Sequence, residues 1–473
     1  MADFDVPPDN PFENDLLERG PAIESLTRIV ESADSPYVIS VDAEWGAGKT
    51  AFLKMWSQHL RNQGFHVLHF NAWETDFANS PFQALSGELT RSLEQYSDST
   101  IQDITRTLRR SASEIALTLA RAGVRGAGTF LPIVGPVAAE AAVNAIDSMS
   151  GDPISEYQRA RRSIEELRRS IGKVSTALSS GTQGKPLVVA IDELDRCRPS
   201  YAIELIETAK HIFLVDNVVF ILAINSSALA HSIRALYGAA FDAEAYMRRF
   251  IDLQFRLPEH DRTRFVRALL RSARLRDLTD VETDEAALSL MLFESFLSDA
   301  KYSLRDTEQA THRLGLVLQL LDRVEPWMVF SAVVGLILRA AEPETYLRFL
   351  RNETTDEEIL DTLFANLPME TSNLAEAKAK IEGAVVAIAQ PRLPGDTGMF
   401  AELRSPLIQR HRRTHAEIDP SQKGFTDEQA YAVDVTSHAS DVWSSLQLHD
   451  SRPQLMEAMQ FLELLLPGYS SDL

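Results

Sequence analysis

The stretch Ala43-Glu44-Trp45-Gly46-Ala47-Gly48-Lys49-Thr50 decides the fold expected of this chain. It closes with Gly-Lys-Thr, as a phosphate-binding P-loop does, and it follows an apolar run at 37–41 that predicts a buried strand. Residues 51–63 place apolar side chains at helical spacing. A strand, a loop of small residues and a helix, in that order, predict a site where backbone N–H groups surround phosphates.

The pattern predicts a separate contact with the nucleotide or its metal ion for the last residues of the loop. The nucleotide contacts are expected from Trp45, Gly46, Ala47, Gly48, Lys49, Thr50 and Ala51. Lys49 would reach the β- and γ-phosphates, and the Thr50 hydroxyl would hold Mg²⁺. The first position of the usual pattern is glycine and here is Ala43, so either its backbone angles are ordinary or the loop is strained.

A second motif follows a later apolar run. Residues 187–191 predict a buried strand that delivers Asp192 and Glu193 at its carboxyl end. Ligands of parallel α/β sheets lie at that edge, so the two motifs are expected to meet. Asp192 would bind Mg²⁺, and Glu193 would polarise the water that attacks the γ-phosphorus.

Other polar residues are candidates for completing the catalytic site. Asn225 ends the predicted strand at 218–224, where it would orient the attacking water or merely form a turn. Arg305 begins a predicted helix and would reach the γ-phosphate from a lid, or it is a solvated arginine. Three further arginines are unranked candidates for a finger supplied across a subunit interface: Arg196, Arg248 and Arg249.

The hydropathy pattern indicates an α/β fold with a parallel sheet covered by helices on both faces, because continuous apolar strands alternate with helices. Further strands are predicted at 65–70 and 250–257, and a helix is predicted at 201–211. The chain beyond Pro258 is predicted to be entirely helical. The candidate helices there include 261–275, 284–297, 303–323 and 327–339. The expected division is an NTPase core at 1–95 and 186–258, a helical insert at 96–185, a lid at 259–345 and a C-terminal extension at 346–473.

The insert between the two motifs is too long for a simple crossover and must form its own substructure. Its uncharged run at 126–139 is shorter than the roughly 20 residues of a membrane span and contains two prolines. Three interpretations stay open: a helical hairpin packed on the core or on another subunit, an element that touches a membrane, and an arginine-mediated contact with nucleic acid.

Composition narrows the class of protein. The formal net charge of −21 disfavours a DNA-coating protein, a helicase or a DNA motor, so nucleic acid is not an expected partner. A single cysteine, Cys197, fits a reducing cytoplasm, and the acidic N-terminus has no signal-peptide pattern. The expected location is the cytoplasm, with membrane association through residues 126–139 left open.

Three ordered segments make the sequence resemble the KAP family of P-loop NTPases. They are Trp45-Gly46-Ala47-Gly48-Lys49-Thr50, Phe70-Asn71-Ala72-Trp73 and Ile191-Asp192-Glu193-Leu194-Asp195-Arg196-Cys197. The resemblance covers roughly residues 10–345 and implies an ASCE-type nucleotide-binding core with a helical lid. For bacterial members it suggests membrane-associated signalling or exclusion of phages and plasmids. The chain departs from the family in showing no full-length span in its insert.

Two functions follow as hypotheses. The first is an ATP-hydrolysing switch whose lid and insert respond to the nucleotide, with ATP and Mg²⁺ as ligands and a homo-oligomer as one form of assembly. The second is a scaffold that binds nucleotide, hydrolyses little of it and organises protein partners, whose identity the sequence does not give. ATP is favoured over GTP because no Asn-Lys-x-Asp guanine signature is present.

Overall fold

The fold is described from a computed structural model. It covers residues 4–33, 36–77, 80–121, 153–180, 184–258, 261–272, 284–299, 301–351, 353–366, 374–389, 405–416, 426–448 and 455–460. The chain divides into two compact units, Met1–His260 and Asp261–Leu473.

The first unit is built on five parallel strands. They are β1 (Tyr37–Asp42), β2 (His66–Asn71), β3 (Leu187–Asp192), β4 (Val218–Ile224) and β5 (Leu253–Arg256). Their order across the sheet is β2-β3-β4-β1-β5. The insertion of β4 between β1, which precedes the P-loop, and β3, which carries the acidic motif, confirms the predicted ASCE arrangement.

Helices cover both faces of this sheet, as predicted. Alternate residues of β4 belong to two different apolar cores: Phe220 and Leu222 to one, Ile221 and Ala223 to the other. Both β3 and β4 are buried along their whole length, because continuous apolar strands suit a sheet with no solvent face. The helices of this unit are α1 (Gly20–Glu31), α2 (Lys49–Asn62), α3 (Ala72–Thr75), α4 (Pro81–Leu93), α5 (Ser99–Arg121), α6 (Pro153–Ser180), α7 (Pro199–Thr208), α8 (Ser226–Tyr237) and α9 (Ala243–Met247).

Two predicted elements have different bounds in the structure. The last strand was expected at 250–257 but spans only Leu253–Arg256. Phe250 instead lies in the turn that follows α9, where its N–H donates to the carbonyl of Met247. The helix expected at 201–211 begins at Pro199, a favoured first position, and ends at Thr208 in a π-helical turn over Ala209–Phe213.

The described part of the insert consists of α5 and α6, which pack on each other; α6 also contacts β3, and α5 contacts α4. Apolar residues of both helices join one of the two sheet cores, among them Leu108, Ile115, Leu167 and Ile171. Arg168 donates hydrogen bonds to the backbone carbonyls of His211 and Leu214. This part is therefore a helical pair packed on the core of the same chain, in line with the first of the three interpretations. The uncharged run at 126–139 lies outside the described residues.

The second unit is helical wherever it is described, as predicted. Its helices are α10 (Thr263–Ser272), α11 (Asp284–Leu297), α12 (Leu304–Gln319), α13 (Pro326–Ala341), α14 (Pro343–Leu350), α15 (Asp356–Ala365), α16 (Leu374–Ala389), α17 (Pro406–Ala416) and α18 (Asp427–Leu448). The apolar helix α13 is a buried core helix, surrounded by apolar side chains of its own unit. Within the described ranges, no helix combines the length and apolar character needed to cross a membrane.

Candidate nucleotide site

The P-loop connects β1 to α2 and owes its shape to two glycines. Gly46 and Gly48 have φ angles of 79° and 83°, a region that residues with a Cβ rarely adopt. Ala43 is not among the described residues with positive φ, so alanine at this position carries no backbone strain. Its N–H donates to the carbonyl of Ile224 over 3.1 Å, which ties the start of the loop to β4.

Lys49 is the first residue of α2, and its side chain folds back across the loop. The ammonium nitrogen Nζ lies 2.8 Å from the carbonyl oxygen of Ala43 and 3.2 Å from that of Glu44. It also lies 3.4 Å from Oδ2 of Asp195, in the acidic motif after β3. The structure therefore joins the two sequence motifs through one ammonium–carboxylate pair.

Arg19 is a part of the site that sequence reasoning missed. It lies just before α1, is almost fully buried, and donates to the carbonyls of Ala47 and Gly48 over 2.6 and 2.9 Å. In a trans peptide the C=O and N–H groups point in opposite directions. By holding these two carbonyls, Arg19 turns the N–H groups of Gly48 and Lys49 away from itself. The only sequence signal was an arginine shortly before the first helix, which is too common to be diagnostic.

The acidic motif begins at the carboxyl end of β3. Asp192 is 2% exposed, and its Oδ1 accepts a hydrogen bond from the N–H of Glu193 over 2.8 Å. Glu193 has a φ of 58°, an unusual value for a residue with a side chain and one that concentrates at functional sites. Its Oε1 pairs with Nη1 of Arg196 at 2.9 Å, which fixes the direction of the carboxylate.

Asp195 is the second residue whose role the sequence did not reveal. Its carboxylate is 2% exposed, and besides Lys49 it accepts a hydrogen bond from the indole Nε1 of Trp45 at 2.7 Å. The indole itself is 56% exposed. Trp45 thus connects the P-loop to the acidic motif from the solvent side. The only sequence signal for this contact was the family pattern of a tryptophan inside the loop.

Asn225 follows β4 and therefore lies between the two motif-bearing strands. Its Oδ1 accepts the N–H of Ala228 over 3.1 Å and caps α8, as the turn interpretation expected. Beside it, Asp42 at the end of β1 accepts the N–H of Ser226 at 2.8 Å. Capping of α8 gives the buried Asn225 side chain a structural role. The action of Asn225 on an attacking water stays a prediction.

The candidate arginines are dispersed. Arg248 and Arg249 follow α9 and are exposed. Arg196 is already engaged with Glu193, and its guanidinium lies 5.8 Å from the centre of the Trp73 ring. Arg305 belongs to α12 in the second unit. The role of each as a finger or lid arginine stays a prediction.

Negative charge collects at this edge of the sheet. Burial, together with the carboxylates of Asp76, Asp195 and Glu193, raises the pKa of the Cys197 thiol to about 12. Asp76 is itself tied to Arg198 by an ion pair of 2.9 Å. The thiol is therefore neutral and unreactive near pH 7, and the surrounding field favours a cation.

The oxygen donors present fit Mg²⁺. Thr50 offers a hydroxyl in the first turn of α2, and Asp192 offers a buried carboxylate at the end of β3. Within the described ranges, no group of three or more His, Cys, Asp or Glu side chains is arranged to hold a metal alone. Mg²⁺ characteristically binds through one or two protein oxygens plus substrate phosphates, so these two donors match its usual mode.

Comparisons with known proteins identify the family of the P-loop domain. A model of the KAP family P-loop domain matches residues 19–321, which is more than half of the chain. Over 255 residues the chain is 21% identical to the phage T7 exclusion protein of Escherichia coli (strain K12). That match covers 50% of this chain and 32% of the relative, so it spans about a third of the relative's length.

Among solved structures, the chain is similar to the Aeropyrum pernix ORC2 protein in its ADPNP–ADP complexes. The identity is 14%, the TM-score is 0.28, and the alignment covers 94% of each chain. The fold class rests on the strand order and on the family match.

Proposed function

Because this chain belongs to the KAP family of P-loop NTPases, we propose that it binds and hydrolyses ATP and acts as a nucleotide-controlled switch. The observation that supports this most directly is the ion pair of 3.4 Å between Lys49 and Asp195. It brings the phosphate-binding loop and the acidic motif to one edge of the sheet, which is where parallel α/β proteins bind ligands.

In this proposal each residue acts on a defined part of the nucleotide. The N–H groups of residues 46–51 and the positive end of α2 bind the phosphates, and Lys49 neutralises the β- and γ-phosphates. Thr50 and Asp192 would hold Mg²⁺, which would supply positive charge for phosphoryl transfer. Glu193 orients the attacking water and accepts its proton, with Asn225 beside it.

The switch requires a segment that responds to the γ-phosphate. We assign this to the lid at 259–345, with 346–473 as an extension and Arg305 as the lid arginine. Ordering of a segment by a γ-phosphate is an established form of switching. An arginine supplied by a second copy, from among Arg196, Arg248 and Arg249, would raise an otherwise slow turnover.

The test compares ATP turnover in the wild type, Glu193→Gln and Lys49→Ala. Wild-type hydrolysis, with binding but no turnover in Glu193→Gln and no binding in Lys49→Ala, supports the switch. Equal and negligible rates in the wild type and Glu193→Gln, with tight binding in both, favour the alternative of a nucleotide-dependent scaffold. Tight binding by Lys49→Ala would contradict the assigned pocket.

The distant similarity to a phage exclusion protein motivates a biological role in defence. The match covers only about a third of that protein, so a role in defence is a proposal for this chain. Phage plating efficiency on cells that express the wild type or Lys49→Ala tests it. Exclusion by the wild type alone supports a nucleotide-dependent defence function, and equal plating on both contradicts it.

We also propose a cytoplasmic protein whose residues 126–139 mediate membrane or subunit contact. Sedimentation of a detergent-free lysate, with and without deletion of this run, tests the proposal. A fully soluble wild type, together with unchanged oligomerisation and partner capture after the deletion, would exclude both roles for the run.

A further inference from the structure

Asp195 shares one oxygen between two donors of the P-loop. Its Oδ2 lies 2.7 Å from Nε1 of Trp45 and 3.4 Å from Nζ of Lys49. The carboxylate is 2% exposed, so it has little access to water as an alternative partner. Asp195 therefore depends on these two groups for its stabilisation.

The ammonium of Lys49 has three hydrogens, and three oxygens of the described residues lie within 3.4 Å of its nitrogen. Two are carbonyls of the loop's own first residues, Ala43 and Glu44, which belong to the P-loop. The third is the carboxylate of Asp195, the one fully charged oxygen of the set. A terminal phosphate that binds Lys49 must take the place of one of these neighbours, and the one outside the loop is Asp195.

We propose that Asp195 competes with the terminal phosphates of the nucleotide for Lys49, and that Trp45 retains the Asp195 carboxylate when Lys49 is released. This inference rests on the proposed function, since it names the group that regulates the same phosphate site. Asp195 and Trp45 act here as positioning residues, because their effect reaches the nucleotide through Lys49.

The direction of the effect on affinity separates this role from a purely structural one. Loss of the Asp195 charge frees Lys49 before the nucleotide arrives, so Asp195→Asn should bind Mg²⁺ with a non-hydrolysable ATP analogue about tenfold more tightly. A residue that only maintained the shape of the loop would weaken binding when replaced. Asn still offers an oxygen to the Trp45 indole, which makes this variant the conservative one.

Trp45→Phe tests the second half of the proposal. It keeps an aromatic ring and removes the N–H donor, so the released carboxylate loses its remaining partner. Affinity should fall roughly threefold in the wild-type background. In the Asp195→Asn background the same change should have little effect, because no carboxylate needs to be retained.

Isothermal titration calorimetry on the full-length chain measures all four members of this cycle. Glu44→Gln removes one negative charge from the exposed side of the same loop and calibrates the general effect of charge on affinity. Its tightening should be clearly smaller than that of Asp195→Asn. Asp195→Ser serves as a second replacement if the asparagine variant has a lowered melting temperature.

The outcomes are distinct. Tighter binding by Asp195→Asn or Asp195→Ser than by Glu44→Gln supports the competition, whereas unchanged or weaker binding overturns it and leaves the proposed function standing. A threefold loss on Trp45→Phe that persists without the Asp195 charge overturns the retention by Trp45. No nucleotide binding by the wild type or by any variant overturns the proposed function, and the inference falls with it.

Discussion

At the scale of single residues, the site depends on buried charges that hold backbone and side chains in place. Arg19 is the clearest case, because its guanidinium is almost fully buried and binds two carbonyls of the P-loop. Hydrogen bonds to charged groups contribute about 1.5–3 kcal/mol each, more than bonds between neutral groups. Such a residue shapes a phosphate-binding loop without touching the phosphate.

We predict that Arg19→Ala weakens ATP binding by about tenfold or more, because the carbonyls of Ala47 and Gly48 lose their donor and the loop N–H groups lose their fixed direction. Arg28→Ala is the matched control, because Arg28 is exposed on α1 and its replacement removes the same positive charge. Equilibrium binding of a fluorescent ATP analogue measures both. Equal affinities in the two variants would show that Arg19 does not orient the loop.

Cys197 provides a second prediction at this scale. Its pKa is raised to about 12 by burial and by nearby carboxylates, so the native protein carries almost no thiolate between pH 7 and 9.5. Alkylation by iodoacetamide should therefore stay slow across this range and rise sharply only on unfolding. An unfolded thiol, with its ordinary pKa near 8.5, would react faster with each step in pH. Mass spectrometry of native and urea-treated samples measures the rates, and fast native labelling at pH 8 would contradict the buried position.

At the scale of elements, the sequence predicted the strands and the P-loop helix because their signals are local. Continuous apolar runs specified β3 and β4 to within one residue, and the small-residue loop specified the turn between β1 and α2. The pairing of Trp45 with Asp195 and of Arg19 with the loop could not be predicted. These contacts join residues far apart in the chain, and no periodic pattern encodes them.

Helix packing in the second unit gives a prediction for Gly383 of α16. A Cβ at this position would stand 2.7 Å from the carbonyl oxygen of Val435 and 2.9 Å from the backbone nitrogen of Ala439, both on α18. Both neighbours are backbone atoms, so the two helices must move apart. We expect Gly383→Ala to lower the free energy of unfolding by about 1–3 kcal/mol, despite the higher helix propensity of alanine.

Gly315→Ala in α12 is the control for this substitution. Apart from its chain neighbours and the backbone of its own helix, no described atom lies within 4 Å of a Cβ at Gly315. The propensity gain of about 1 kcal/mol should therefore appear there unopposed. Urea unfolding of the full chain, followed by circular dichroism, measures both variants. Stabilisation by Gly383→Ala equal to that of Gly315→Ala would show that α16 and α18 do not approach each other as described.

At the scale of the whole molecule, the buried apolar residues that the structure describes group into cores within each unit. Two cores flank the sheet of the first unit, and a single core of helices fills the second. The phosphate-binding loop and the acidic motif both belong to the first unit.

We therefore predict two unfolding transitions, of which the nucleotide shifts chiefly that of the first unit. Mg²⁺–ATP at 100 times its Kd should stabilise the first unit by about 2.7 kcal/mol, because it binds the folded site alone. Phe330→Ala removes a buried ring from the core of the second unit and should cost that unit about 3–5 kcal/mol. Phe220→Ala in β4 is its counterpart in the first unit. Hydrogen exchange resolved by peptide assigns each transition, and a single transition that responds to both the nucleotide and Phe330→Ala would show that the units unfold as one.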